Sequence, residues 1–446
     1  MEAGSNIAGS QGAELVARIR GVAPDRCLAV GVDVAKASWH LLIANFLGEV
    51  VVAGVDIVAD EAGYAELRKR IDAAAATAEA QVLRVGVESA GHYHETLAGR
   101  LMADGYEVVG HNPAAVKKAR GEAGKSRTKT DGLDAAAMCS LTIRGLGRRP
   151  YLPADAVGEL QVAYLGREAL ASHRSALRNQ ITSLLDLIWP GATAEDKALG
   201  VRPILSDILS PTGVALLRLG PDPRRIGADS PAVLARRLRA RGANPTRTKC
   251  AELVARARMA MAPSGPVEAR IALLQRFLDI FEALDAAIAA IEAEEAAALG
   301  MTKGAMLPEV VGLGVVSVAG YVAFVGDPAR FDNRPERIWR ALGADPARAQ
   351  SGSQDPDLPI SREGSAWGRA AMMKAGFCLT SHNPVFARYL AGRRDEKKPG
   401  KVARVAAANK ANRLLCHLMA TGQTYDLEAH QRAVEKARTA GASKQA

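Results

Sequence analysis

Aromatic side chains are scarce in this chain. Phe, Trp and Tyr together make up 4% of its 446 residues, while Ala, Gly and Arg are abundant. That balance fits a GC-rich coding bias as much as a structural choice. Cysteine is rare as well: Cys27, Cys139, Cys250, Cys378 and Cys416 are odd in number, widely spaced and without a CxxC pair. This argues against a disulfide scaffold or a zinc site and fits a reducing compartment. A membrane-length apolar run is also missing. The nearly uncharged stretch VVGLGVVSVAGYVAFVG, 310–326, is shorter than a comfortable span and is broken by glycines. The opening residues, MEAGSNIAGSQGAE, have neither a basic nor an apolar signal region, so a cytoplasmic protein is expected. Acidic residues are outnumbered, 48 against 58 Lys and Arg, for a net charge of +10. A basic balance favours polyanionic partners, and nucleic acid ahead of a membrane surface.

What is present reads as globular. Apolar residues make up 48% and charged residues 24%, and the length allows two or three domains with real cores. Residues 1–26 read as a loose leader. CLAVGVDVAK, WHLLIANF and EVVVAGVDI follow as three short strands with tight connections, an antiparallel meander. A helix over 60–80, the buried strand VLRVGVESA, a helix from near Tyr93, the strand YEVVGHN and a short helix opened by Asn112-Pro113 come next. A basic loop, KKARGEAGKSRTK (117–129), leads into a helix from about Thr130. Strand-strand-strand-helix-strand-helix-strand-helix is the order of the α/β ribonuclease-H-like (RuvC-like) fold, which sugar kinases and actin-like ATPases also use.

Two long helical patterns lie beyond, at 155–189 and 266–299, with apolar residues at steps of three, four and seven. They suit a coiled coil either within the chain or between chains. Residues 191–263 are rich in Pro, Gly and Arg, residues 301–425 form a last, mainly helical unit, and residues 426–446 read as a polar tail. The expected domains are thus 27–150, 151–300 and 301–425.

Four carboxylates stand out. Asp33 lies in the first strand, Glu88 ends the fourth, and Asp131 and Asp134 open the helix TDGLDAAAM on one face. In the expected fold these three segments meet at one end of the sheet. Such a cluster is costly unless cations neutralise it, and hard oxygen donors favour Mg²⁺, with Mn²⁺ as the alternative. Two such ions about 4 Å apart can activate an attacking oxygen and stabilise a leaving one in phosphodiester chemistry. The adjoining Lys117, Lys118, Arg120, Lys125, Arg127 and Lys129 could hold a phosphate backbone against them.

The combination GVDVAK, VESAGHYHE, HNPAAVKKAR, SRTKTDGLDA and, later, LPEVVGLGVVSVAGYVAFVGDPARF resembles the DEDD transposases of bacterial insertion sequences of the IS110 group, over roughly residues 28–423. The resemblance implies that Asp33, Glu88, Asp131 and Asp134 are the family's four acidic residues in a RuvC-like domain. It further implies a C-terminal transposase domain opening with a helix-hairpin-helix-like segment, in which Gly312 and Gly314 flank a hairpin that offers backbone N–H groups to DNA phosphate. In the family, a serine followed by glycine, nine residues before an Ile-Ser-basic pattern, is thought to attack DNA. Here Ser351, nine before Ile360, matches it. Ser353, Gln354, Asp355, Glu363 and Gly368 depart from the family pattern, and Ser353 is a competing nucleophile.

Further basic residues are candidates for DNA or RNA backbone. They are Arg167, Arg174 and Arg178 on the first long helix, and Arg393, Arg394, Lys397, Lys398, Lys401 and Arg404 near the end of the chain. The resemblance also implies donor and target DNA, a noncoding guide (bridge) RNA, and a dimer or tetramer associated with the bacterial nucleoid. Other readings are a junction resolvase using metal-activated water, an actin-fold kinase and a non-catalytic nucleic-acid binder. The kinase would need a second phosphate loop and an adenosine motif, and neither is present.

Overall fold

The computed structural model describes residues 15–89, 92–122, 130–198, 200–345, 360–362, 364–395 and 399–442. Two compact units divide the chain, Met1–Leu152 and Pro153–Ala446.

In the first unit, β1 (Cys27–Val34), β2 (Ser38–Asn45) and β3 (Val50–Val58) form the expected meander, and β4 (Val82–Glu88) and β5 (Glu107–His111) complete a sheet of order β3-β2-β1-β4-β5. The meander pairs are antiparallel, and β4 runs parallel to both β1 and β5. This mixed five-stranded sheet fits the ribonuclease-H-like expectation. Alternation along β1 divides its side chains between two faces. Leu28, Val30 and Val32 join a core with Tyr64, Leu67 and Ile71 of α1 (Glu61–Thr77) and Leu97 and Leu101 of α2 (Tyr93–Ala103). Ala29 and Ala44 meet Cys139 of α4 (Asp131–Ile143) on the other face. Burial there pushes the Cys139 thiol up to about 12, so this cysteine is inert packing.

Two glycines let α4 lie directly on the sheet. A Cβ at Gly31 would run into the Ala135 carbonyl, and one at Gly86 would stand 2.5 Å from Thr142 Oγ1. The helix before it, α3 (Pro113–Glu122), is longer than expected. The sequence between Lys117 and Glu122, read as loop, is helical, and α3 as a whole buries Val116, Ala119 and Arg120. Val116 and Ala119 pack on Ala135, Ala137 and Met138 of α4, so the chain keeps its helical period as far as that apolar face extends.

The second unit is helical. Its long helices, α5 (Ala156–Ile188) and α10 (Val267–Gly300), pair with each other within the chain. Leu177, Ile181 and Leu185 pack with Leu274, Leu278 and Phe281 in a core closed by α6 (Pro211–Arg218), α7 (Pro223–Ala228), α8 (Pro231–Arg239) and α9 (Arg247–Met259). A second core gathers around α11 (Val315–Val325), with α12 (Pro335–Ala341), α13 (Ala366–His382), α14 (Pro384–Asp395) and α15 (Gly400–Thr421). The almost uncharged stretch thus contains a largely buried helix, Val315–Val325, and no helix among the described residues is long and apolar enough to cross a membrane.

Two local expectations change. The segment before α11 holds a single 3₁₀ turn, Leu307–Glu309, rather than a full first helix of a hairpin pair. The expected polar tail is helical over Leu427–Ala442, α16.

Candidate active site

The site begins where two parallel strands end together. Val32 of β1 is paired with Val87 of β4, so Asp33 and Glu88 are the next residues of each strand, side by side at about 4.8 Å strand spacing. Both are half-buried. Period two puts Asp33 on the face of Gly31, which α4 covers. Ala135 sits on Gly31, and Gly132 approaches His40, the cross-strand partner of Asp33. The first turn of α4 therefore lies level with Asp33, and Asp131 is in that turn. Thr130 caps the helix by accepting from the Leu133 N–H at 3.3 Å, and the helix N-terminus favours the acids placed there. Asp131 is exposed, whereas Asp134 is buried.

Asp134 is paired within the chain. Its carboxylate accepts from Nη1 of Arg120, also buried, in a direct ion pair. Arg120, expected among the phosphate-binding cations, is instead turned inward from α3. Lys117 and Lys118 of that helix are exposed, while Lys125, Arg127 and Lys129 lie outside the described residues.

The oxygen donors of Asp33, Glu88 and Asp131 suit a hard divalent cation. As they stand, no three His, Cys, Asp or Glu side chains among the described residues form a closed ligand group. The fourth donor is engaged by Arg120.

Sequence reasoning missed His40. Its Nδ1 is 2.7 Å from Asp56 Oδ1, while Nε2 is buried without a hydrogen-bond partner among the described residues. The ring fits between two glycines: a Cβ on Gly54 would be 2.5 Å from Nε2, and one on Gly132 3.4 Å. The available signal was a histidine in an apolar strand, two residues from Leu42 on the α4 face.

Among the candidate nucleic-acid contacts, three arginines of α5 are already paired within the chain. Arg167 bonds Glu168 at 2.6 Å and Glu292 at 3.0 Å, Arg174 pairs with Asp285, and Arg178 bonds Asp207 at 2.9 Å. A phosphate there competes with a carboxylate. Lys401 and Arg404 are exposed on α15, and Arg393 lies against the Tyr389 ring, with Nε 3.2 Å from its hydroxyl. Lys397 and Lys398 are outside the described residues, as is the side chain of Arg394. The Gly314 N–H is used locally, donating to Ser317 Oγ at 2.8 Å. Gly312 takes φ +94°, a turn conformation that favours glycine, against His382 and Asn383.

Ser351, Ser353, Gln354, Asp355 and Glu363 all lie outside the described residues. The ends of that segment are joined nonetheless. The Ser361 N–H donates to the Asp345 carbonyl and Ser361 Oγ to Asp345 Oδ1, both at 2.7 Å, and the Arg362 N–H donates to the Gly343 carbonyl at 3.0 Å.

Comparison with protein families narrows the readings. The model for DEDD transposases of the IS110 group, described as Transposase, matches residues 30–190, and one described as Transposase IS116/IS110/IS902 family matches residues 304–391. The chain carries the transposase domains of the IS110 family. No curated protein matches it. The first match covers the acidic strand ends and α4. The second covers α11 to α13, most of α14 and the segment that contains Ser351. These transposase domains account for the basic balance and leave no role for the kinase reading.

Proposed function

We propose that the chain is a DNA recombinase that excises and inserts its own mobile element by metal-dependent strand cleavage and exchange. The observation that carries this reading is the pairing of Asp33 and Glu88 at neighbouring parallel strand ends, level with the acidic first turn of α4. Asp33, Glu88 and Asp131 would hold Mg²⁺ or Mn²⁺, with Asp134 as the fourth ligand once free of Arg120. The ion would supply Lewis-acid stabilisation of charge on the phosphate oxygens. Ser351 is the nucleophile of this scheme: its hydroxyl oxygen bonds to phosphorus as the bond from phosphorus to one DNA oxygen breaks, and the serine proton, taken up by a base, is passed on to that oxygen, which leaves as a DNA hydroxyl. A serine hydroxyl needs such activation because it is weakly nucleophilic by itself.

Lys117 and Lys118 of the first unit hold phosphate backbone, and Lys401 and Arg404 do so separately in the second. Sequence choice falls to a noncoding RNA of the element, which pairs with donor and target DNA while the protein holds backbone and shape. Two cleavage sites on two duplexes call for a dimer or tetramer.

The test is a recombination reaction with the full chain, flanking element DNA, Mg²⁺ and donor and target plasmids, analysed for a protein–DNA adduct that survives denaturation. The expected adduct is lost in both Ser351→Ala and Asp131→Ala. Nicked DNA without an adduct, insensitive to Ser351→Ala but abolished by Asp131→Ala, would replace the serine step with metal-activated water.

A further inference from the structure

We infer that Arg120 is a resident cation of the acidic site: its guanidinium neutralises Asp134, and a divalent ion must displace it to recruit that carboxylate. The inference rests on the proposed metal-dependent function and adds a competitor to it.

A buried carboxylate is costly unless a charge meets it. Asp134 is 2% exposed and Arg120 9%, and they pair directly between α3 and α4. Packing of Val116 and Ala119 on Ala135 and Met138 holds the two helices in that register. Arg120 is poorly satisfied for an arginine so deeply placed, because its Nε is buried with no hydrogen-bond partner among the described residues. Arg84 of the same unit shows the contrast. It is also buried, yet its Nε donates to Glu107 at 2.8 Å and its Nη1 to the Thr142 carbonyl at 3.2 Å. Arg84 is built in as a permanent strut, whereas Arg120 meets its neighbour through one edge of the guanidinium.

Location supplies the function. Asp134 is one turn from Asp131 on the same helix face. An ion held by Asp33, Glu88 and Asp131 therefore approaches the carboxylate that Arg120 occupies. Two cations cannot both hold that carboxylate at full strength, so metal binding and release of Arg120 are linked. The freed guanidinium sits three residues from exposed Lys117, where a DNA phosphate is the natural replacement anion. Asp134 thus exchanges one cation for another, and Arg120 exchanges a carboxylate for a phosphate.

The sign of one measurement separates this from a purely supporting role. Mn²⁺ is titrated calorimetrically into the full-length protein and into Arg120→Gln, Arg120→Lys and Asp131→Asn. Replacing a charged donor to Asp134 with a neutral one should tighten Mn²⁺ binding about tenfold, while Arg120→Lys, which keeps a cation, stays near wild type. A support that merely orients Asp134 predicts weaker binding in Arg120→Gln, and equal or weaker binding overturns the inference.

A second measurement needs no variant. Phenylglyoxal labelling of the wild-type protein, read by peptide mass spectrometry, should rise at Arg120 when Mn²⁺ saturates the site. Unchanged labelling at saturation also overturns it. Failure of the underlying metal reading looks different: wild type binds no Mn²⁺, or Asp131→Asn binds it equally well.

Discussion

Gly31→Ala tests whether the bare strand surface under α4 sets the geometry of the acidic site. The new Cβ would enter the Ala135 carbonyl and stand 3.0 Å from Cys139 Sγ. Neither neighbour can swing aside, since one is backbone and the other is a fully packed side chain. The helix must lift instead. Overpacking of this kind costs about 1–3 kcal/mol. At about 2 kcal/mol, a unit of this size loses about 4–8 °C in melting temperature. The functional loss should exceed the stability loss, because Ala135 is one turn from Asp131. A displacement of about 1 Å at a reacting centre costs on the order of 10²-fold in rate.

The assay pairs thermal unfolding with plasmid excision, measured well below the melting transition so that unfolding does not contribute. Gly99→Ala is the control. It lies within α2, where an added Cβ meets only Leu152 Cδ1 at 3.8 Å, and it should stabilise by up to about 1 kcal/mol without affecting excision. A Gly31→Ala protein that excises at the wild-type rate would refute the reasoning, whatever its melting temperature.

Two further outcomes concern the second unit. Glu295 of α10 is fully buried with neither carboxylate oxygen hydrogen-bonded among the described residues, and burial pushes its carboxyl up to about 7, opposed by Arg167 and Lys374. The folded form holds this proton more tightly than the unfolded chain. Stability should therefore fall as pH rises from about 4.5 through about 7 and level off above, by at most about 3 kcal/mol; denaturant titrations should show Glu295→Gln losing that slope. The exposed Lys401 and Arg404 should act as backbone cations. Changing both to Ala should reduce the slope of log K for DNA against log salt by about 1–2, measured by fluorescence anisotropy across a salt series.

Much of the first unit was legible because its signals are local. Three β-rich runs with short connections can hardly avoid a meander, and the carboxylates of GVDVAK, VGVES and TDGLDA stand at strand ends and a helix start that those patterns already mark. What could not be read is what side chains do across sequence distance. Lys117, Lys118 and Arg120 look equivalent as letters, yet the apolar face of α3 turns only Arg120 inward, toward a carboxylate fourteen residues on. Arg174 likewise resembles a free cation until α10 brings Asp285 beside it, 111 residues later. The imidazole of His40 is confined by Gly54 and Gly132, and that confinement exists only once β3 and α4 are in place. The even choice between intra-chain and inter-chain pairing for the two long helices had the same origin: a heptad-like seam specifies an apolar stripe, not its partner.

The bonds between Asp345 and Ser361 have a consequence for how this protein can change over time. They bring the two ends of the intervening residues to one point, anchored beside the core of α11 to α15. Two of the three bonds use only backbone groups, so they do not depend on which side chains stand at positions 343, 345, 361 and 362. Ser353, Gln354 and Asp355, where the sequence departs from its family, fall inside that bracket. The clasp therefore holds positions 345 and 361 together through main-chain groups, with the Asp345 carboxylate and the Ser361 hydroxyl as the one side-chain contribution that a substitution at either end would remove.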